Sequence, residues 1–156
     1  MKISWFSFYN LVLALWVGGI ITFTFIVTPA IFKSFGRDMA GEIVGKLFPG
    51  YFLYNLVLAA LALILFFTVA GDRTMTAARL SLALLTAALV INAYVALKLH
   101  PDAVRVKQQI TSFERESPDS PARKQFARLH AVSASLNLLL LADGVALLMI
   151  GPALRK

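Results

Sequence analysis

The chain has 156 residues, 59% hydrophobic and 15% charged, with a formal charge of +7 and no cysteine. Soluble domains carry about 25% charged residues, so this composition and a mean hydropathy of +0.77 argue against a water-soluble globule. Without cysteine there is no disulfide, thiolate metal site or thiol chemistry. The basic residues are scattered among acids beside apolar runs, which disfavours nucleic acid as a partner and suits loops facing anionic lipid headgroups.

Four apolar runs are each long enough for the roughly 20 residues that cross a bilayer. The first, residues 7–31, follows Trp5, Phe6, Phe8 and Tyr9, which would form an interfacial belt. It is too long for a signal-peptide core, and no small-residue cleavage site closes it. Pro29 falls near its far end. Residues 32–47 place Phe35, Met39, Ile43 and Leu47 at four-residue spacing, which predicts a short amphipathic helix lying in the interface. The second span, 52–70, follows Phe48-Pro49-Gly50-Tyr51. A tight turn at 71–76 leads to the third, 80–99. The connection 100–125 puts Ala103, Val106, Ile110 and Phe113 on one helical face, then breaks at Ser117-Pro118-Asp119-Ser120-Pro121. Ser120 as N-cap and Pro121 at the first position would start the last helix early. Its span is 126–150, and from Pro121 to Ile150 it measures about 45 Å at 1.5 Å per residue. None of the runs alternates as membrane strands do. The fold class that follows is all-α: one transmembrane domain over 1–156, an integral membrane four-helix bundle with amphipathic interfacial connections.

Four spans put both termini on one side. That side holds Lys2, Arg73, Arg79, Arg155 and Lys156, and the other holds the remaining 10 Lys and Arg residues. The bias places the long connections in the cytoplasm and the termini outside, in the cell (inner) membrane.

Polar residues inside the spans mark where function would lie, because an ionisable side chain at the centre of the bilayer costs about 2.5–3.5 kcal/mol or more. His130, Ser133 and Asn137 share one face of the last helix. Ser81 and Asn92 lie on a stripe of the third, and Asn55 faces inward from the second. Asn55 and Asn92 suit interhelical hydrogen bonding. Asn92, Asn137, Ser133 and His130 also suit a polar cavity open at one end. His100 and His130 reach the same membrane surface and are the candidate ligands for a metal ion or a haem iron, although no His-x3-His or Glu-x2-His element accompanies them. Asp143 is off the His130 stripe. It is either a proton- or cation-binding carboxylate or a structural acid paired with Arg79. Trp16 reads as packing. Ala14, Gly18 and Thr22 form a small-residue face suited to a second copy of the chain. No phosphate loop, nucleophile elbow or metalloprotease motif appears, so a non-enzymatic role is expected.

Three segments resemble the transmembrane protein 205-like family of small four-helix membrane proteins. They are Lys46-Leu47-Phe48-Pro49-Gly50-Tyr51-Phe52, Asn92-Ala93 followed by Pro101, and Phe126-x-Arg128-x-His130-x-x-Ser133-x-x-x-Asn137 ending in Asp143-Gly144. That resemblance implies an integral membrane protein of the resistance or export kind, binding or moving a small solute or metal cation. The sulfur-based relay proposed for that family has no counterpart here, since cysteine is lacking and Met149 alone lies in the last helix. The element Trp16-x-Gly18-Gly19 is similar to the first helix of copper-resistance D-type and haem-dependent protoporphyrinogen-oxidising membrane proteins. A haem-binding redox protein and a ligand-free scaffold are the alternatives.

Overall fold

A computed structural model describes residues 4–71 and 76–155. Lys2, Arg73, Lys156 and most of the tight turn expected at 71–76 lie outside the described residues. Among those described there is no strand. Four helices, Trp5–Ser34, Arg37–Val69, Thr76–Lys107 and Pro121–Leu154, are long and apolar enough to cross a membrane. The share buried within each apolar window is only 22–33%. Most of that surface therefore points outward and needs lipid to cover it, so the chain is an integral membrane protein.

The first helix begins at Ser4, whose hydroxyl accepts from the Ser7 amide at 3.3 Å. It runs as α1 (Trp5–Ile21), a π-helical segment (Thr22–Val27) and α2 (Thr28–Ser34). The third repeats this plan as α4 (Thr76–Tyr94), a π segment (Val95–Leu99) and α5 (His100–Lys107). Proline explains both. Pro29 and Pro101 have no amide proton, and the bonding frame widens just before each one. Thr28 N–H bonds Phe23 O, and His100 N–H bonds Val95 O, both five residues back. A π segment lets the helix pass a proline that would otherwise break it.

Two expectations about helix ends are corrected here. No separate interfacial helix exists at 32–47. The chain breaks only at Phe35 and Gly36, and α3 (Arg37–Val69) then runs through Pro49. Apolar contacts of Ala40 and Val44 above Pro49, and of Tyr51 and Phe52 below it, hold the helix on either side. Likewise the third helix continues past His100 to Lys107, and only residues after it form the loop. The last helix, α6 (Pro121–Ile150), starts as its sequence predicts: the Ser120 hydroxyl accepts from the Arg123 amide at 3.4 Å. A short 3-10 turn, Gly151–Arg155, follows it.

The core of the terminal half is Tyr9, Leu13, Trp16, Ile20, Phe66, Leu85 and Leu147. Tyr9 is fully buried and so does not belong to the outer aromatic belt, whereas Trp5 and Phe8 are exposed. Helices α1 and α6 run antiparallel in fixed register. A Cβ on Gly151 would lie 3.3 Å from Asn10, and one on Gly144 2.7 Å from Val17. Asn137 bonds Thr24 at 2.8 Å. In each pair the two residue numbers add to 161, and successive pairs are seven residues apart. A seven-residue contact period is that of a coiled-coil seam, and Gly144 on α6 with Gly151 just after it lets α1 approach closely.

Candidate functional site

All four helices exceed the length that hydrocarbon requires, and the surplus collects on the side of the long connections. There α2, the first turns of α3, α5 and the start of α6 enclose a cavity of about 500 Å³. Its walls are apolar and aromatic, with Phe32, Phe48, Phe52, Phe113 and Phe126 among the lining residues. His100, His130 and Ser133 line it as well, so two positions flagged on α6 and one at the start of α5 do come together. The His100 ring meets Phe52 edge-on at 5.1 Å and Phe48 at 6.0 Å. His130 stacks on Phe126 at 6.2 Å and is otherwise exposed.

The floor beneath is a polar clamp. Tyr51 Oη donates to Asn137 Oδ1 at 2.5 Å, and Asn137 Nδ2 donates to Thr24 Oγ1 at 2.8 Å. The Tyr51 ring stacks on Phe23 at 4.1 Å. Asn137 therefore ties three helices together and does not line the cavity.

Asn55 and Asn92 are buried, but each donates to its own helix, to Tyr51 O and Ala88 O, both at 2.9 Å. Among the described residues neither donates across helices, and neither lines the cavity. Asp143 lies thirteen residues beyond His130, about 20 Å along the axis at 1.5 Å per residue, in the terminal half of the bundle. It is 9% exposed, and neither carboxylate oxygen has a hydrogen-bond partner among the described residues. The expected pairing with Arg79 does not form: Arg79 is exposed on the outer surface. Its neighbour Ala78 takes the inward-facing position on α4.

The outer cover of the cavity is a strap, residues 108–120. Asp38 anchors it by accepting from Ser112 Oγ at 2.6 Å and from the Phe113 amide at 2.5 Å. These two hydrogen bonds hold the Asp38 carboxyl below the usual carboxylate range, and it lies ahead of the apolar stretch of α3. Phe113 then packs edge-on against Phe126 at 5.2 Å. The Arg123 guanidinium lies 5.6 Å over the Phe113 ring. Lys107 Nζ donates to Gly41 O at 2.6 Å and binds the end of α5 to α3. Burial draws its ammonium below the usual lysine range, against the opposing pull of Glu42 and Asp38.

Sequence reasoning missed the basic lining residues Arg37, Lys107 and Arg123. Their signal was position: each stands at a helix end on the same side of the membrane. Among the described residues no three His, Asp or Glu side chains gather as metal ligands. His100 and His130 offer two imidazoles to an ion or a haem, and nothing beyond them.

Residues 11–112 match the family described as Domain of unknown function (DUF4149). The chain belongs to this family. The DUF4149 match runs from within α1 through α5 to the start of the strap and includes the lining residues Arg37, His100 and Lys107. His130, Ser133, Asn137 and Asp143 fall outside it. No curated protein and no solved structure matches the chain.

Proposed function

We propose that this DUF4149 protein is a non-enzymatic membrane protein that binds a small amphiphilic solute in the cavity at the bilayer surface. One observation carries the reading. Elements distant in sequence, from Thr28 to Phe52 and from Leu99 to Ser133, close around about 500 Å³ of largely apolar space with a few polar groups. Small-molecule sites have this size and character. His130, His100 and Ser133 supply hydrogen-bonding groups on the wall, and the clamp of Tyr51, Asn137 and Thr24 keeps the floor rigid. The resemblance to the transmembrane protein 205-like family, through Lys46–Phe52 and Phe126–Asn137, supports a solute-binding or export role in the cell membrane. Three basic side chains on the lining speak against a metal cation as the solute. The outward face of Ala14, Gly18 and Thr22, with open space around Gly18, supports a homo-oligomer.

The test is photo-crosslinking in native membranes, with p-benzoylphenylalanine replacing Phe126 in the cavity or Val90 on the outer surface. Intact mass should show one dominant adduct at 126 and the bulk lipid mixture at 90. The same mixture at both positions would contradict the reading. Haem is the second reading because both imidazoles line one cavity. A Soret band in the purified protein, lost in His100→Ala and His130→Ala, would put it first.

A further inference from the structure

We propose that the occupant of this cavity is a lipid-like amphiphile with an anionic phosphate or carboxylate headgroup, taken from the leaflet that faces the long connections. The inference rests on the cavity reading and names the class of molecule the cavity selects.

Charge is the first argument. Arg37, Lys107 and Arg123 line the cavity, and no acidic residue does so among the described residues. Arg37 is the first residue of α3, and Arg123 lies in the first turn of α6. A helix N-terminus already carries about half a positive charge, so a cation there is disfavoured unless an anion is expected nearby. The acids of the neighbourhood are committed elsewhere. Asp38 holds Ser112 and Phe113, Glu42 pairs with Lys46 at 2.7 Å, and Glu116 accepts from the Thr111 amide. Glu114 folds over Gly36 on the outside. The first turn of α6 contains no acid, and that of α3 contains the committed Asp38.

Free donors are the second. The Arg37 side chain makes no hydrogen bond or ion pair among the described residues. Lys107 spends one of its three N–H groups on Gly41 O, and Arg123 spends Nη1 on Glu116 O. Most N–H groups on the three cations remain available, and charge-assisted bonds to an oxyanion are among the strongest a protein makes.

Segregation is the third. The basic residues stand at the aqueous ends of α3, α5 and α6. Phe48, Phe52, Leu99, Leu129 and Ser133 line the deeper part, toward the bilayer. A charged mouth over an apolar floor matches a lipid in its leaflet, head outward and chain inward. Phe32, on α2, lines the cavity and is 46% exposed, so the wall there is not buried behind other protein.

The test uses the full chain in phosphatidylcholine nanodiscs, titrated with dodecyl phosphate, dodecylphosphocholine or inorganic phosphate and read by thermal stability. Ala103→Trp, which fills the cavity, serves as the blocked control. Dodecyl phosphate should stabilise the protein at a concentration at least about tenfold below dodecylphosphocholine, a difference of about 1.4 kcal/mol. The Arg37→Gln, Arg123→Gln double variant should bring the two probes to within about twofold, leaving dodecylphosphocholine binding in place. Equal binding of both probes, blocked by Ala103→Trp, would overturn the anionic class while the amphiphile reading stood. Inorganic phosphate competing as well as dodecyl phosphate would replace the lipid with a free anion. Binding that Ala103→Trp does not affect would remove both this inference and the cavity reading.

Discussion

At the scale of single residues, two side chains hold the site together by different chemistry. Tyr51 does so inside the bundle, where its hydroxyl satisfies one end of an amide that spans three helices. Tyr51→Phe leaves Asn137 Oδ1 without that donor and should cost about 1 kcal/mol of thermal stability. A double-mutant cycle with Asn137→Ala should show the two changes to be non-additive. Asp38 works outside the apolar stretch. Its folded carboxyl titrates below its unfolded value, so its stabilising effect is complete above the unfolded value and is lost as pH falls through the folded one. Wild-type protein should therefore release the strap, residues 108–120, to protease below about pH 4. Asp38→Asn should be cleaved there at neutral pH too. A strap equally protected in both proteins at all pH values would mean that Asp38 is not the anchor.

At the scale of elements, the fold follows from how helices pass prolines and how closely they approach. The seam between α1 and α6 makes a paired prediction. Gly144→Val drives its side chain into Val17 and should destabilise by about 1–3 kcal/mol, the usual cost of overpacking. Gly50→Ala, at an exposed position, meets nothing within 4 Å and should not destabilise. Equal effects on melting temperature would contradict the register. The helices themselves were legible in the sequence, because an apolar run of the right length has few alternatives in lipid. So was the start of α6 at Ser120-Pro121, where cap and proline act locally. Helix ends at Pro29, Pro49 and Pro101 were not legible. Proline signals a break, and whether a π segment or flanking packing carries the helix onward depends on tertiary contacts. Tyr9 was misplaced because belt and core positions differ only by helix rotation, and within one turn both read as aromatic.

At the scale of the whole molecule, four helices longer than the bilayer is thick leave their surplus on one side, and that surplus builds the cavity. No single stretch of sequence encodes it: the lining comes from two regions about fifty residues apart. Only His130, His100 and Ser133 could be named beforehand, as polar residues where an apolar run meets the surface. The basic mouth could not, since Arg37, Lys107 and Arg123 read individually as ordinary loop charges. Because the chain has no cysteine, its orientation can be measured cleanly. With the long connections in the cytoplasm, Ser4→Cys should react with an impermeant maleimide on intact cells and Ser117→Cys only after lysis. The reverse pattern would place the cavity in the outer leaflet. Native mass spectrometry of the protein ejected directly from its own membranes tests the cavity's role most directly. The account predicts the chain carrying one small anionic amphiphile, absent from an equally stable Ala103→Trp variant. A bare chain, or the same adducts on both proteins, would contradict it.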